Sequence, residues 1–454
     1  MAYESRNPYT GKVNKKYEQI SNQELDGIIF SASRAFRNWR TYRIEKRQDL
    51  LNRLADILEI EKDYHAASIT SEMGKPIKQS LAEIEKTVLA CRYYADRADE
   101  FLRPRRHTSS AGSSLIRFDP QGIVFALMPW NFPYWQVIRC LAPALVSGNA
   151  VLLKHASNVP QCAENIENAV IKAGFPTDLF RNLFIDHEQV SRLIKSEHVR
   201  TVSFTGSNTA GEKIASVAGG SIKKLVLELG GNDAFVVCND ADLEKAAEAL
   251  VYGRFQNTGQ SCIASKRLFV NEQVYPEFLG LVSGRIKALR AGNPALEDTF
   301  TGPLVNLAAV EELERQVKET VDMGAEIIAG GRSGEPGEGF FEPTLLVNVP
   351  YDSPLAREEV FGPVLPVFSF KDYDELVFRV NDSRFGLACS VFTSDNKLME
   401  KLAEDIDTGT IVFNNFTSSD PYLPFGGVKE SGYGRELSEY GIMEFVNIKT
   451  VTTF

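Results

Sequence analysis

The 454-residue chain predicts an α/β fold, with a helical block ahead of two runs in which strands and helices alternate. Two observations predict it. From Asn22 to Arg106 apolar residues recur at helical spacing, as in Ile28, Ile29, Ala32 and Phe36, and again in Leu50, Leu54, Ile57 and Leu58. Beyond Arg106, short apolar runs followed by Pro, Gly, Ser or Asn alternate with helical segments, the texture of a parallel sheet. Hydrophobic residues at 43% and charged residues at 24% supply material for more than one core.

The elements follow in order. The polar stretch His107–Gly112 ends the helical block. Ile123–Leu127, Ala150–Leu153 and Val202–Thr205 read as strands, with helices over Gln161–Ala173 and Gln189–Lys195 between them. A second alternating block is expected to begin near Leu225. In it Ala234–Val237, Arg267–Val270, Glu326–Ile328, Leu365–Phe370 and Ser390–Thr393 read as strands. Asp242–Phe255, Glu311–Met323 and Tyr373–Val380 read as helices. The β-branched terminus Ile448–Phe454 needs a partner strand, either Ser113–Phe118 or a strand of another subunit.

Charge and composition narrow the function. Fifty basic against 60 acidic residues leave a net charge of −10, which does not favour a nucleic-acid partner. No apolar run reaches the ~18 residues of a membrane helix, and the first residues show no secretory h-region, so a cytoplasmic protein is expected. The six cysteines form no CxxC pair and no metal-ligand spacing with the five histidines, so neither a disulfide framework nor a metal is expected.

Four segments carry chemistry. Cys262 follows Gln256-Asn257-Thr258-Gly259-Gln260-Ser261, where a helix runs into a glycine turn. A thiol there suits covalent attack on a soft electrophile, but equally a buried structural role. Glu228 lies in Leu227-Glu228-Leu229-Gly230-Gly231, where burial would raise its pKa into the range of a general base. A solvated strand-end glutamate is the alternative. Asn131 stands between prolines in Pro129-Trp130-Asn131-Phe132-Pro133, where its amide could donate to an oxyanion or simply complete an aromatic turn. Thr205-Gly206-Ser207-Asn208-Thr209-Ala210-Gly211 follows a strand and opens a helix, a place that suits a phosphate. It is neither a Walker loop nor G-x-G-x-x-G.

These segments, in this order, resemble the aldehyde dehydrogenase superfamily. Lys154, Glu358-Glu359-Val360-Phe361-Gly362-Pro363 and Pro424-Phe425-Gly426-Gly427-Val428-Lys429-Glu430-Ser431-Gly432 extend the likeness over essentially the whole chain. The resemblance implies a Rossmann-type cofactor domain (residues 1–101 and 121–231) and an α/β catalytic domain (232–432). It also implies a small β oligomerisation element (102–120 and 433–454). It makes Cys262 the nucleophile of a thiohemiacetal and thioester, Asn131 an oxyanion donor and Glu228 the base for the hydrolytic water. It assigns the cofactor to Lys154, Ser157, Gly206, Ser207, Glu359 and Phe361, with Trp130, Leu229 and Gly211 completing the contacts.

Cofactor and substrate follow from single positions. Serine at 157, where many NAD-preferring relatives carry a glutamate, leaves room for a 2′-phosphate beside Lys154, so NADP is expected ahead of NAD. Asn131, Trp135 and Arg139 are spaced i, i+4, i+8 and would form one stripe. An arginine there suits a carboxylate. With Ser261 and Ser419 it completes a substrate site like that of the short bacterial succinate-semialdehyde dehydrogenases. A structural role for Arg139 would leave a general aldehyde dehydrogenase, and glutarate semialdehyde is a close competitor. A non-catalytic scaffold and a cysteine hydrolase are the other classes. The intact set Cys262, Glu228, Asn131, Lys154 and Glu359 argues against the first, and the lack of an evident histidine dyad against the second. Isoleucine at 263 and serine at 261 leave no second thiol for a local disulfide switch. The resemblance also implies a homodimer or tetramer built through the terminal strand.

Overall fold

A computed structural model describes residues 3–334 and 339–454. Five sheets organise the chain, and two of them carry the expected alternation. The first has six strands, in spatial order Gly432–Tyr433, Lys224–Glu228, Val199–Thr205, Ile123–Met128, Ala150–His155 and Phe180–Asn182. All neighbours are parallel except the short Gly432–Tyr433, which runs antiparallel to Lys224–Glu228. The second has seven strands, in order Glu326–Ala329, Thr344–Val347, Val364–Phe370, Arg267–Asn271, Ala234–Val237, Ala388–Phe392 and Thr410–Phe413. Only its first pair is antiparallel.

One boundary differs from the sequence reading. Lys224–Glu228 belongs to the first sheet, so the second block starts at Ala234 and not near Leu225. The reason is local: Gly230 and Gly231 let the chain leave the first sheet directly after Glu228, and an apolar run carries no mark of which sheet it joins.

The helical block packs on the first sheet. The helix Asn22–Trp39 starts at a capping box in which Ser21 and Glu24 satisfy each other's orphan donors. Its buried stripe of Leu25, Ile29, Ala32, Phe36 and Trp39 faces the core, and the Trp39 indole donates to the Leu145 carbonyl at 2.9 Å. Ile28 and Ile57, expected in that core, lie at its edge. The strand Ile123–Met128 is buried along its whole length, as a strand covered on both faces must be. The second sheet likewise separates two apolar clusters, one on each face.

The chain end finds its partner within the same chain. Val446–Thr453 pairs antiparallel with Ser113–Pro120, which pairs in turn with Arg105–His107. Seven of the eight residues of Val446–Thr453 are exposed.

Candidate active site

The strand order of the first sheet reverses between Ile123–Met128 and Val199–Thr205. Ligands of open parallel sheets sit at such a switch point, beyond the carboxyl ends of the strands. A cavity of about 840 Å³ lies there. Trp130 and Asn131 come to it from the end of one strand, and Thr205, Gly206 and Ser207 from the end of the other. Ser207 caps the helix Asn208–Gly220 through the Ala210 N–H, so a helix N-terminus points at this space. The buried Thr205 hydroxyl has no hydrogen-bond partner. Lys154, His187 and Lys213 line the cavity against one carboxylate, Glu359. That carboxylate is already engaged, accepting from the Gly231 N–H and from Lys266 Nζ, each at 3.1 Å. A large cavity with excess positive charge, a helix N-terminus and an orphan hydroxyl fits a phosphate-bearing dinucleotide. Trp130 and Phe361 meet edge to face, 5.7 Å apart, on its lining.

The loop that carries Cys262 is built separately and is strained. The helix Leu243–Phe255 ends in Gln256–Gly259, where Asn257 and Thr258 hold left-handed φ angles of 53° and 56°. Such angles persist only where surroundings over-determine them. Here the Asn257 amide donates to the carbonyls of Asn131 and Gln260, at 2.9 and 3.0 Å. The buried Arg254 guanidinium donates to the carbonyls of Val364 and Val360 and, in a very short contact, to that of Gly362. Gly259 has φ +72°, and a Cβ there would lie 2.4 Å from the Gly362 carbonyl oxygen. Gly259→Ala is therefore expected to cost about 2–4 kcal/mol, combining a left-handed non-glycine residue with a backbone clash. Thermal unfolding should show a clearly lower midpoint, and an unchanged midpoint would refute the clash.

Cys262 emerges from this loop half-buried, and it borders two cavities at once. Burial pushes its thiol up to about 11, while Lys266 and Arg139 pull the other way. Lys266 was not singled out from the sequence. It is fully buried and donates to the carbonyls of Cys262 and Gly231, at 2.6 and 2.7 Å, as well as to Glu359. One ammonium thus ties the nucleophile loop, the segment after Glu228 and the cofactor-side carboxylate together. No local motif marks such a lysine, because two of its three acceptors, Gly231 and Glu359, come from distant segments.

The second cavity, about 250 Å³, lies on the other side of Cys262. Trp135, Arg139, Ser261 and Ser419 all line it, as the sequence reading required. Trp135 and Arg139 share the helix Trp135–Val146, and Asn131 precedes it. The first turn of that helix has no side-chain cap of its own, and Glu83 supplies one from another helix by accepting the N–H groups of Tyr134 and Trp135. Arg139 departs from expectation in one respect. Its guanidinium forms a close ion pair with Glu436 and packs over the Phe425 ring, with both charged groups almost fully buried. Its charge is already balanced inside the protein.

Asn131 and Glu228 take different places. The Asn131 amide lines the large cavity and donates to the Gln260 carbonyl at 3.1 Å, which leaves its second N–H for another acceptor. Glu228 is buried at the end of its strand, and neither carboxyl oxygen has a hydrogen-bond partner. Burial and the nearby Glu436 hold its pKa well above the usual carboxylate range, against the pull of Arg139 and Arg435. It borders neither cavity, and it faces Gly426, where a Cβ would lie 2.7 Å from its oxygen. Two predicted cofactor contacts also stand off the lining, Ser157 and Gly211. The Ser157 carbonyl accepts from the Glu4 N–H at 3.3 Å, so it supports the N-terminal hairpin. A Cβ on Gly211 would meet Leu229 at 2.6 Å, so this glycine sets how closely the helix approaches that lining residue.

Comparison with known proteins identifies the family of the chain. Residues 1–451 match the model of the aldehyde dehydrogenase family. The chain is 43% identical over 451 residues to a probable NADP(+) succinate-semialdehyde dehydrogenase of Synechocystis sp., covering 99% of each chain. It is 42% identical over 448 residues to NADP(+) succinate-semialdehyde dehydrogenase 1 of Mycobacterium tuberculosis, covering 98% of each. Its structure superposes on the crystal structure of succinic semialdehyde dehydrogenase from Streptococcus pyogenes in complex with NADP+, with TM-score 0.97, 36% identity and 99% coverage of both chains.

Proposed function

The chain belongs to the aldehyde dehydrogenase family, and from that premise we propose that it oxidises succinate semialdehyde to succinate with NADP. The observation that carries this reading is Cys262 at the junction of a dinucleotide-sized cavity and a small cavity with cationic walls. The relatives named for this substrate and cofactor support it.

The residues divide the chemistry. The Cys262 thiol gives its proton to solvent water and its sulfur bonds to the aldehyde carbon, converting a carbonyl into an alkoxide. The Asn131 amide and the Cys262 backbone N–H hold that alkoxide oxygen. NADP would supply the acceptor for the hydride that this carbon releases, and an acyl thioester would remain on Cys262. Glu228 then takes a proton from water as the water oxygen adds to the thioester carbon. The carbon–sulfur bond breaks, the carboxylic acid leaves, and the departing Cys262 thiolate takes back the proton held by Glu228. Glu228 reaches that water only by rotating toward Cys262, because its present orientation keeps it off both cavities.

Lys154, Ser207, Glu359 and the amides at Gly206 would hold the cofactor, with Lys213 adding positive charge. We assign residues 1–101 and 121–231 to cofactor binding, 232–432 to catalysis, and 102–120 with 433–454 to assembly as a homodimer or tetramer. The exposed outer strand Val446–Thr453 supports that assembly. Six unpaired thiols fit a reducing cytoplasm.

Initial rates with succinate semialdehyde, using NADP and NAD in parallel, test the reading. Faster turnover with NADP is the expected result. NAD preference would sink the cofactor assignment, and oxidation of neutral aldehydes alone would sink the substrate.

A further inference from the structure

One helix, Ile77–Phe101, meets both halves of the reaction centre. Gln79 and Glu83 are spaced i, i+4 on it and so share a face, and Lys75 lies just ahead of its first residue. The Glu83 carboxylate accepts the Tyr134 and Trp135 N–H groups, at 2.9 and 3.1 Å, and forms a very short ion pair with Lys75. Both charged side chains are almost fully buried. The Lys75 Nζ also lies 3.7 Å from the centre of the ring of Phe132, the residue after Asn131. Glu83 and Lys75 thus hold the chain immediately beyond Asn131. Gln79 holds the other half. Its side-chain oxygen accepts the Asn257 N–H at 2.6 Å, inside the left-handed turn that leads to Cys262. Its own amide is anchored on the Phe300 carbonyl at 2.8 Å.

We propose that Glu83 and Gln79 are positioning residues of the oxidation: they hold the Asn131 segment and the Cys262 loop against one helix, and so fix the separation of oxyanion donor and nucleophile. The inference rests on the roles given above to Asn131 and Cys262. A buried ion pair contributes little net stability, because desolvation offsets the attraction. What Lys75 supplies is a fixed carboxylate, seated at the positive N-terminus of the helix Trp135–Val146. Oxyanion donors act over a narrow range of distance, so a shift of about 1 Å in Asn131 is enough to slow the reaction. The Asn257 side chain links the two halves, since it donates to the carbonyls of Asn131 and Gln260. Glu83 and Gln79 give no signal in the sequence, because both lie more than 170 residues before Cys262.

The test is a double-mutant cycle read in single-turnover formation of NADPH, with enzyme in excess over succinate semialdehyde. Glu83→Leu is expected to lower the rate constant about tenfold or more in the otherwise native enzyme, and less than about twofold in an Asn131→Ala background. Lys75→Met combined with Glu83→Gln removes both charges and keeps an oxygen for the two N–H groups, so it should recover most of the loss. Gln79→Met should slow the same step about fivefold or more. Gln79→Glu, which keeps the accepting oxygen, should recover most of that. Gln79 is uncharged and half-buried, so its variants carry the test where Glu83→Leu does not fold. Equal Glu83→Leu losses in both backgrounds, or no recovery in the conservative variants, overturn the inference.

Amide hydrogen exchange supplies a readout that needs no turnover. The Tyr134 and Trp135 amides should exchange about tenfold faster or more in Glu83→Leu, and the Asn257 amide in Gln79→Met, each variant leaving the other segment near its native rate. Native exchange in both variants rejects the positioning contacts whatever the chemistry. Oxidation by Asn131→Ala as fast as by wild type overturns the proposed mechanism and this inference together. A slow Asn131→Ala with equal Glu83→Leu losses in both backgrounds overturns this inference alone.

Discussion

Cys262→Ser is expected to lower aldehyde oxidation by about four orders of magnitude or more, since no other group on the small cavity can form and release a thioester. NADP binding should survive, because the charged residues and helix N-terminus of the large cavity are untouched. The thiol itself has a second signature. Burial raises it to about 11, so only a small fraction is thiolate at neutral pH in the free enzyme. A raised thiol pKa means reactivity grows with pH. Alkylation of Cys262 by iodoacetamide should climb about tenfold per pH unit from pH 7 and level off only near 11. A plateau already reached at pH 8 would show that Lys266 and Arg139 outweigh burial. Retained oxidation in Cys262→Ser would remove the nucleophile from the mechanism.

Glu228→Gln is expected to split the reaction in two. Acylation needs Cys262 and Asn131, while deacylation needs a base. Steady-state turnover should fall about a hundredfold to a thousandfold, the usual reach of general base catalysis, with a first burst of roughly one NADPH per site preserved. Stopped-flow absorbance reads both phases. Hydroxylamine, which attacks a thioester without help, should restore turnover. Loss of burst and steady state in proportion would place Glu228 in the first half instead. The amide would also sit more comfortably than the carboxylate, since neither Glu228 oxygen has a partner and Glu436 opposes its charge. The variant should therefore be at least as stable as wild type above neutral pH, where the native carboxyl is forced toward a charge its site disfavours.

Glu228, Glu436 and Arg139 form one electrostatic unit although they come from three places in the chain. Arg139 lowers the pKa of both carboxyl groups, and each carboxyl is raised by burial. Removing the arginine therefore reaches the base as well as any ligand.

Much of the protein was legible in the sequence. Most strands from Ile123–Met128 to Ala388–Phe392 and several helices between them follow from periodicity and turn residues, which are local properties, whereas Phe180–Asn182, Thr344–Val347 and the helix Tyr275–Lys287 carried no expectation and the partner of the terminal strand stayed open between Ser113–Phe118 and another subunit. Cys262 and Asn131 lie in short segments whose residues are unusual together, Lys154, Glu359 and Phe361 came only from the family resemblance, and the fold brings all five to two adjoining cavities. Tertiary structure alone decided the rest. It put Lys224–Glu228 in the first sheet, left Ser157 and Gly211 off the lining of the large cavity, gave Arg139 an internal partner and brought Lys266 against Cys262, Gly231 and Glu359. The physical reason is common to all of these. A charge's role depends on which opposite charge and how much water surround it, and those neighbours are contributed by segments far apart in the chain, which no local pattern encodes.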